Sequence, residues 1–312
     1  MERSPSWWRV GVIVAGAAAL ASCRVGTHSP HVAPPPAATG GEATPKGATT
    51  VTTAPSSAAP APATTSVASP RSPALDGDRR RRADQLISAF ENSTTVIRYD
   101  YAEDIGDGRG ITSGRAGFTT ATCDGRDVVD RYTAVAPGNG LVRFLPELRR
   151  LCDAGSATTS GLPAAAYIAA WAAAAADPRF RSAQDAIVES QYFAPAMAAA
   201  DALGLRSPLA RAELYDTAIQ EGTDDDRDAL GSVIARTTAR VGTPAAVGEA
   251  VWLDHYFTER ISTLRNPSTG QSAAWAATID RVECMRRLAK AGHAELDGPF
   301  HFTVYGDEFT TT

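Results

Sequence analysis

Lysine is nearly missing from this chain: Lys46 and Lys290 are the only two among 312 residues. Abundant alanine and arginine go with it, a pattern of GC-rich coding. Cysteine is scarce too, at four, with no Cys-x-x-Cys and no Cys/His cluster at ligand spacing. This excludes the familiar zinc-site patterns and gives no sign of a metal or cofactor. No apolar run is long enough to span a bilayer, since Val10 to Leu20 stops short. Positive charge is also short. Lys and Arg total 30 against 35 Asp and Glu, for a net charge of −5. Residues 1–75 hold five basic residues (Arg3, Arg9, Arg24, Lys46, Arg71) and two acidic ones (Glu2, Glu42), so the acidic excess lies beyond them. Such a balance argues against nucleic acid and suits a cationic ligand. No internal repeat is present in residues 76–312.

The first 23 residues read as a targeting segment. Arg3 and Arg9 precede the short apolar stretch, which ends in Leu20-Ala21-Ser22-Cys23. That ending has the form of a lipobox, whose cysteine becomes the lipidated first residue of the mature protein. An ordinary secretory signal is the alternative. Residues 24–75 are rich in Ala, Pro, Thr and Ser and poor in large apolar side chains, so they read as a disordered spacer. Flexible-coil scaling gives it a reach of roughly 40 Å. Residues 76–312 then form the folded domain, displayed outside the cell on a lipid tether or secreted, with no other contact to a membrane.

Ala83, Leu86, Ile87 and Phe90 recur at helical spacing, and that helix is expected to stop at Asn92-Ser93. Thr94 to Ala102 is β-branched and aromatic and reads as a short strand, as does Phe118 to Thr122. Asp124 reads as an N-cap. Pro163, Pro208 and Pro244 mark helix starts, the last two behind Ser207 and Thr243. Gly222 and Gly292 mark helix ends, and Phe300 to Tyr305 alternates like a strand. Cys123 precedes one helix and Cys152 ends the next helical stretch. Antiparallel helices would bring them together, so a Cys123–Cys152 disulfide is expected, leaving Cys284 a buried thiol. The Arg79–Arg82 run is expected to be a solvated junction, and Asp224–Asp226 a solvated loop capping the next helix.

Two carboxylates flank the turn that follows the first helix. Glu91 sits near a helix C-terminus beside Phe90 and Ile87, a place that disfavours an ionised group and suits a proton donor. Asp107 lies among Gly106, Gly108 and Gly110, where the backbone bends sharply and leaves the carboxylate open. A solvated Glu and an Asx-turn Asp are the plain alternatives. An EF-hand is excluded, because Ile105 and Gly106 break its acid spacing. One proton-donating and one ionised carboxyl are what cleavage of a glycosidic bond requires.

The segment Tyr101-Ala-Glu-Asp-Ile-Gly-Asp-Gly-Arg-Gly-Ile-Thr112 resembles the active-site signature of glycoside hydrolase family 46, the chitosanases. Glu91-Asn92-Ser93, Pro137-Gly138-Asn139, Leu145-Pro146-Glu147-Leu148, Tyr192-Phe193-Ala194-Pro195, Leu214-Tyr215-Asp216 and Tyr305-Gly306-Asp307 extend it in order to the C-terminus. The resemblance implies a mainly α (α+β), two-lobed, lysozyme-like fold with a small β element beside the cleft. It implies endo-hydrolysis of β-1,4 glucosamine links in chitosan, by a monomer, with inversion. Glu91 would be the acid, Asp107 the base, and Thr112 would help position the water. Tyr101 and Asp124 would bind sugar, with Asp124 facing an ammonium, and Arg109 would support the turn or bind substrate. Asp216, Arg260 and Arg281 would form an ion network orienting Glu91. Glu221 stands where the family pattern has a histidine, a change expected to bear on sugar contacts, and residues 265–274 match poorly. Two other readings stay open: a lysozyme-like glycanase acting on peptidoglycan, and a non-catalytic envelope sugar-binding lipoprotein.

Overall fold

The computed structural model describes residues 75–106, 109–154, 159, 161–268 and 272–312. The leader with Cys23, the spacer up to residue 74, and Asp107 lie outside the described residues. Leu75 already belongs to the core, at 4% exposure.

Helix α1 (Gly77–Asn92) buries Ala83, Leu86, Ile87 and Phe90 and ends as expected, with Ser93 in the left-handed conformation. The Arg79–Arg82 run is not a solvated junction. Arg79 pairs with Glu295 and Asp297. Arg80 pairs with Asp84 and lies 3.5 Å from the Phe193 ring centroid. Arg81 donates to the Thr312 carbonyl, and buried Arg82 donates to the Leu296 carbonyl. The C-terminal segment returns over α1 and takes up these cations.

Residues 94–101 form no strand, despite their composition. Only β1 (Ala102–Asp104) finds a partner, in β2 (Ile111–Ser113), which in turn pairs with β3 (Phe118–Thr119). Strand preference is expressed through cross-strand packing, and the earlier residues have no strand opposite them. All three strands are antiparallel in the order β1-β2-β3, with Glu103 opposite Thr112 and Asp104 opposite Ile111. Residues 105–110, which include Asp107, therefore connect β1 to β2. The β2–β3 turn is tight: Gly114 and Gly117 both have positive φ, and a Cβ on Gly114 would meet Gln184 Oε1 at 2.4 Å.

The chain continues through α2 (Asp124–Val135), a 3-10 turn, α3 (Leu145–Asp153), α4 (Ala164–Ala174), α5 (Pro178–Val188), α6 (Ala194–Leu203) and α7 (Pro208–Glu221). After these come α8 (Leu230–Val241), the short α9 (Pro244–Val247), α10 (Glu249–Arg265), the short α11 (Ser272–Ala276) and α12 (Ile279–Lys290). Pro208 and Pro244 open their helices as expected, and the Ser207 hydroxyl caps Ala210 N–H. Thr243 occupies its cap position without a side-chain bond. Asp124 is not the N-cap of α2: Cys123 holds that position and Asp124 is the first helical residue. The disulfide is the expected one, joining Cys123 to Cys152 across the ends of α2 and α3, and Cys284 is a buried free thiol. Asp226 accepts from the N–H groups of Asp228 and Ala229, just ahead of α8.

Two sets of elements share contacts. The first sheet, α2, α4 and α5 make one set, and α1, α7, α8, α10 and α12 the other. The helix α5 runs into α6 through a π-helical turn (Glu189–Phe193) and links them. Helix α7 is the centre of the second set, with both faces buried. A hairpin, β4 (His301–Val304) and β5 (Asp307–Thr310), packs Phe302 and Val304 inward. Its turn is Tyr305-Gly306, both at positive φ as a tight two-residue hairpin requires. Among the described residues no helix is long and apolar enough to cross a membrane.

Candidate active site

Glu91 lies in the last turn of α1 with its side chain 19% exposed. One oxygen, Oε1, accepts from Arg281 Nη2 at 2.7 Å. The other faces the β2–β3 turn, where a Cβ on Gly117 would sit 3.2 Å from Oε2 and 3.6 Å from Thr112 Cγ2. Glycine at 117, at φ +65°, thus keeps the space between acid and sheet open.

Arg281 is held in turn. Its Nη2 also reaches Asp216 Oδ1 at 2.6 Å and its Nε reaches Oδ2 at 3.1 Å, a bidentate pairing. The guanidinium lies 5.4 Å from the Phe90 ring centroid. Asp216 accepts again from Arg260 Nη1 at 2.7 Å. Burial pushes the Asp216 carboxyl up, but Arg281 and Arg260 outweigh it and hold it below the ordinary value. Asp216, Arg260 and Arg281, named from sequence as one network, therefore form a continuous chain of ion pairs leading to Glu91. Arg260 extends it further, to Glu213, Gln220 and Glu221, all on α7. Glu221 thus points into the interior and not toward a sugar, since its side chain is fully buried against Arg260.

Thr112 is buried on β2, and its hydroxyl has no hydrogen-bond partner among the described residues. Tyr101 is partly buried just ahead of β1 and donates to Glu103 Oε2 at 3.3 Å. Arg109 stands at the far end of the same hairpin, its carbonyl accepting from Ala121 N–H. Asp124 is buried and its acceptor sites are taken. Oδ1 accepts from Thr119 N–H, Thr122 Oγ1 and Gly125 N–H, and Oδ2 from the Tyr192 hydroxyl at 2.8 Å. Burial raises its carboxyl above the ordinary value against these hydrogen bonds. The structure brings Glu91, Thr112, Asp216, Arg260 and Arg281 together around α1, α7 and β2. It places Asp124 apart from that chain, at the start of α2 against the π turn.

Sequence reasoning did not find Glu213, Gln220, Gly117 or Tyr192 as part of this arrangement. For α7 there was a signal. Glu213, Asp216 and Gln220 recur at helical spacing within a stretch otherwise rich in Ala, Leu and Tyr. Polar groups on one face of so apolar a helix must meet partners inside the fold. Among the described residues, no group of three or more His, Cys, Asp or Glu could hold a metal.

Residues 85–300 match the model of glycosyl hydrolase family 46. A chitosanase of Bacillus subtilis (strain 168) is 44% identical over 230 residues, covering 73% of this chain and 82% of the relative. A chitosanase of Streptomyces sp. (strain N174) is 34% identical over 237 residues, covering 75% and 82%. Among solved structures, a mutant chitosanase from Bacillus subtilis MY002 complexed with 6 GlcN superposes with a TM-score of 0.74. It is 42% identical and covers 77% of this chain and all of its own. The Gynuella sunshinyii chitosanase in complex with chitotetraose gives 0.74, 41%, 77% and 99%. These likenesses carry the lysozyme-like fold. With the match spanning the Glu91 helix, the hairpin and the Arg281 helix, the chain belongs to glycosyl hydrolase family 46.

Proposed function

We propose that this protein is an endo-chitosanase that hydrolyses β-1,4 glucosamine linkages by an inverting acid/base mechanism. The observation that carries the reading is the presentation of Glu91, in a family whose similar members are named chitosanases. One of its oxygens is fixed by Arg281 and the other is turned to the β2–β3 turn beside Thr112.

Glu91 protonates the leaving glycosidic oxygen. Asp107, in the β1–β2 connection, takes a proton from water as that water attacks the anomeric carbon from the opposite face. The Thr112 hydroxyl, buried without a partner among the described residues, orients the water. Inversion requires carboxyls about 6.5–9.5 Å apart, which leaves room for the water between them. Tyr101 and Arg109 bind sugar along the hairpin. Asp124 serves a glucosamine ammonium only by sharing Oδ2 with the Tyr192 hydroxyl, so it also acts as a scaffold for that subsite. The acidic excess of residues 76–312 attracts the polycation. The protein works as a monomer and without a cofactor. Cys23 carries the lipid that holds it outside the cell, which detergent partitioning of the wild type against Cys23→Ser would test.

The deciding measurement is reducing-end release from low-acetylation chitosan by the full chain, Glu91→Gln and Asp107→Asn. Activity in the parent and losses of about 10²-fold or more in each variant are expected. Binding of chitosan by the parent with no release of reducing ends overturns the proposal. Faster cleavage of N-acetylated polymer than of free-amine polymer overturns the substrate assignment.

A further inference from the structure

The ion-pair chain behind Glu91 does not stop at Arg260. Glu213 Oε1 lies 2.9 Å from Arg260 Nη1, and Glu221 Oε1 lies 2.6 Å from Nε. Four carboxyls, Glu91, Glu213, Asp216 and Glu221, therefore share two guanidiniums, Arg260 and Arg281. Fully ionised, the cluster would hold more negative than positive charge. The side chains of Glu213, Asp216, Glu221 and Arg260 are all 0% exposed, so solvent offers no compensation. A buried, uncompensated charge costs several kcal/mol and is relieved by taking up a proton.

Geometry says where the protons belong. Both oxygens of Asp216 are held by guanidinium N–H groups. Glu213 Oε2 and Glu221 Oε2 are buried without a hydrogen-bond partner among the described residues. Burial, opposed by Arg260, pushes Glu221 up to about 7 and Glu213 up to about 8. The other groups facing this pair are Tyr256 on α10, Asp216 on α7 itself, and Arg281 on α12, which leads on to Glu91 of α1. Charged groups of the other elements packed on α7 are engaged elsewhere. Asp201 of α6 pairs with Arg211, Arg236 of α8 with Glu259, and Glu189 of the π turn with Arg80.

We propose that Glu213 and Glu221 are positioning residues whose hold on Arg260 sets how Arg281 is divided between Asp216 and Glu91. With both protonated, Arg260 places its full charge on Asp216, and Arg281 is left to hold Glu91 as a carboxylate. As they ionise they claim Arg260. Asp216 then draws on Arg281, and the added negative charge favours a proton on Glu91. The two residues thereby extend the acid's working range toward neutral pH. This inference rests on reading Glu91 as the general acid.

The test compares the full chain with Glu221→Gln and Glu213→Gln, each amide keeping the shape and an acceptor for Arg260. Two quantities are followed from pH 4 to 9: kcat/KM on a glucosamine hexamer, and the 13C titration of the Glu91 carboxyl, assigned with Glu91→Gln. The alkaline limb of kcat/KM should move to lower pH by roughly 0.5–1 unit in each variant, as expected for removing one charge at this remove. The Glu91 resonance should move the same way, with rates at the acidic end staying within about twofold. A limb and a resonance that both stay in place, with rates lowered by one factor at every pH, overturn the proposal and leave only a structural role. A Glu91 resonance that moves in a protein whose Glu91→Gln variant keeps its activity supports the coupling and overturns Glu91 as the acid.

Discussion

At the scale of single residues, Arg281 is the pivot, because one guanidinium serves both Glu91 and buried Asp216. Removing it leaves Asp216 with Arg260 alone and Glu91 unheld. Arg281→Ala should lower stability by about 3–5 kcal/mol, the usual cost of breaking a buried ion pair from one side. Arg281→Lys should rescue little, since an ammonium cannot make the bidentate contact. Urea unfolding of both variants checks this, and recovery of wild-type stability in the lysine variant would contradict it. Thr112 is the opposite case, a residue with little structural work. Thr112→Val keeps its volume, so the melt should hold while kcat falls by about tenfold or more, and Thr112→Ser should retain most of the rate. The ion-pair chain from Arg260 through Asp216 and Arg281 to Glu91 was legible in sequence through the motifs the chain resembles. Glu213 left a signal in its spacing with Asp216 and Gln220, but Glu221 left none, because an acidic residue at a helix end reads as solvated until the partner that faces it is known. Here that partner, Arg260, lies 39 positions from Glu221.

Among elements, the helices and the strands at Phe118 and Phe300 were legible, and the strand expected after α1 was not. Proline and glycine punctuate α7, α9 and α12 at positions the backbone itself dictates, so local sequence suffices. Strands need a partner, and nothing local in residues 94–102 says that only the last of them would find one. The arginine run at the start of α1 failed as a reading for the same reason: its acceptors, Glu295, Leu296 and Thr312, are more than 200 residues away. Arg82→Ala should cost about 1–3 kcal/mol, since it strips a buried carbonyl of its donor, whereas Arg81→Ala, an exposed contact, should cost under about 1 kcal/mol. Thermal melts of the two variants separate these cases. The disulfide also acts at this scale, tying α2 to α3 across 29 positions. In the chain-entropy model the paired serine variant of Cys123 and Cys152 loses about 3–4 kcal/mol. An unchanged denaturation midpoint would show that the packing of α2 on α3 holds these ends without it.

For the whole molecule, the buried cluster makes stability depend on pH in a direction opposite to that of most carboxylates. A glutamate with an ordinary value of 4.5 ionises near that pH in the unfolded chain, whereas Glu221 keeps its proton to about 7 and Glu213 to about 8 in the fold. Between these limits the folded protein binds more protons than the unfolded one, so stability falls as pH rises. Asp216 works the other way. Held below 3.8 in the fold, it contributes stability above that value, and the contribution is lost as pH falls through its folded value. Together they place maximal stability on the acidic side of neutrality. Glu221→Gln fixes that side chain in the neutral form at every pH. At pH 4, where Glu221 is protonated in the unfolded chain as well as in the fold, the variant and the parent should melt together. At pH 8.5 the variant should melt higher, by about 2–4 °C for each kcal/mol of charge burial it avoids. Melts that drop at pH 8.5 would mean that the ionised Glu221–Arg260 pair stabilises the fold, and that the interior tolerates the whole cluster charged. The rise expected here would instead show that Glu221 carries a charge disfavoured by the fold behind the Glu91 helix, so that stability does not account for its presence.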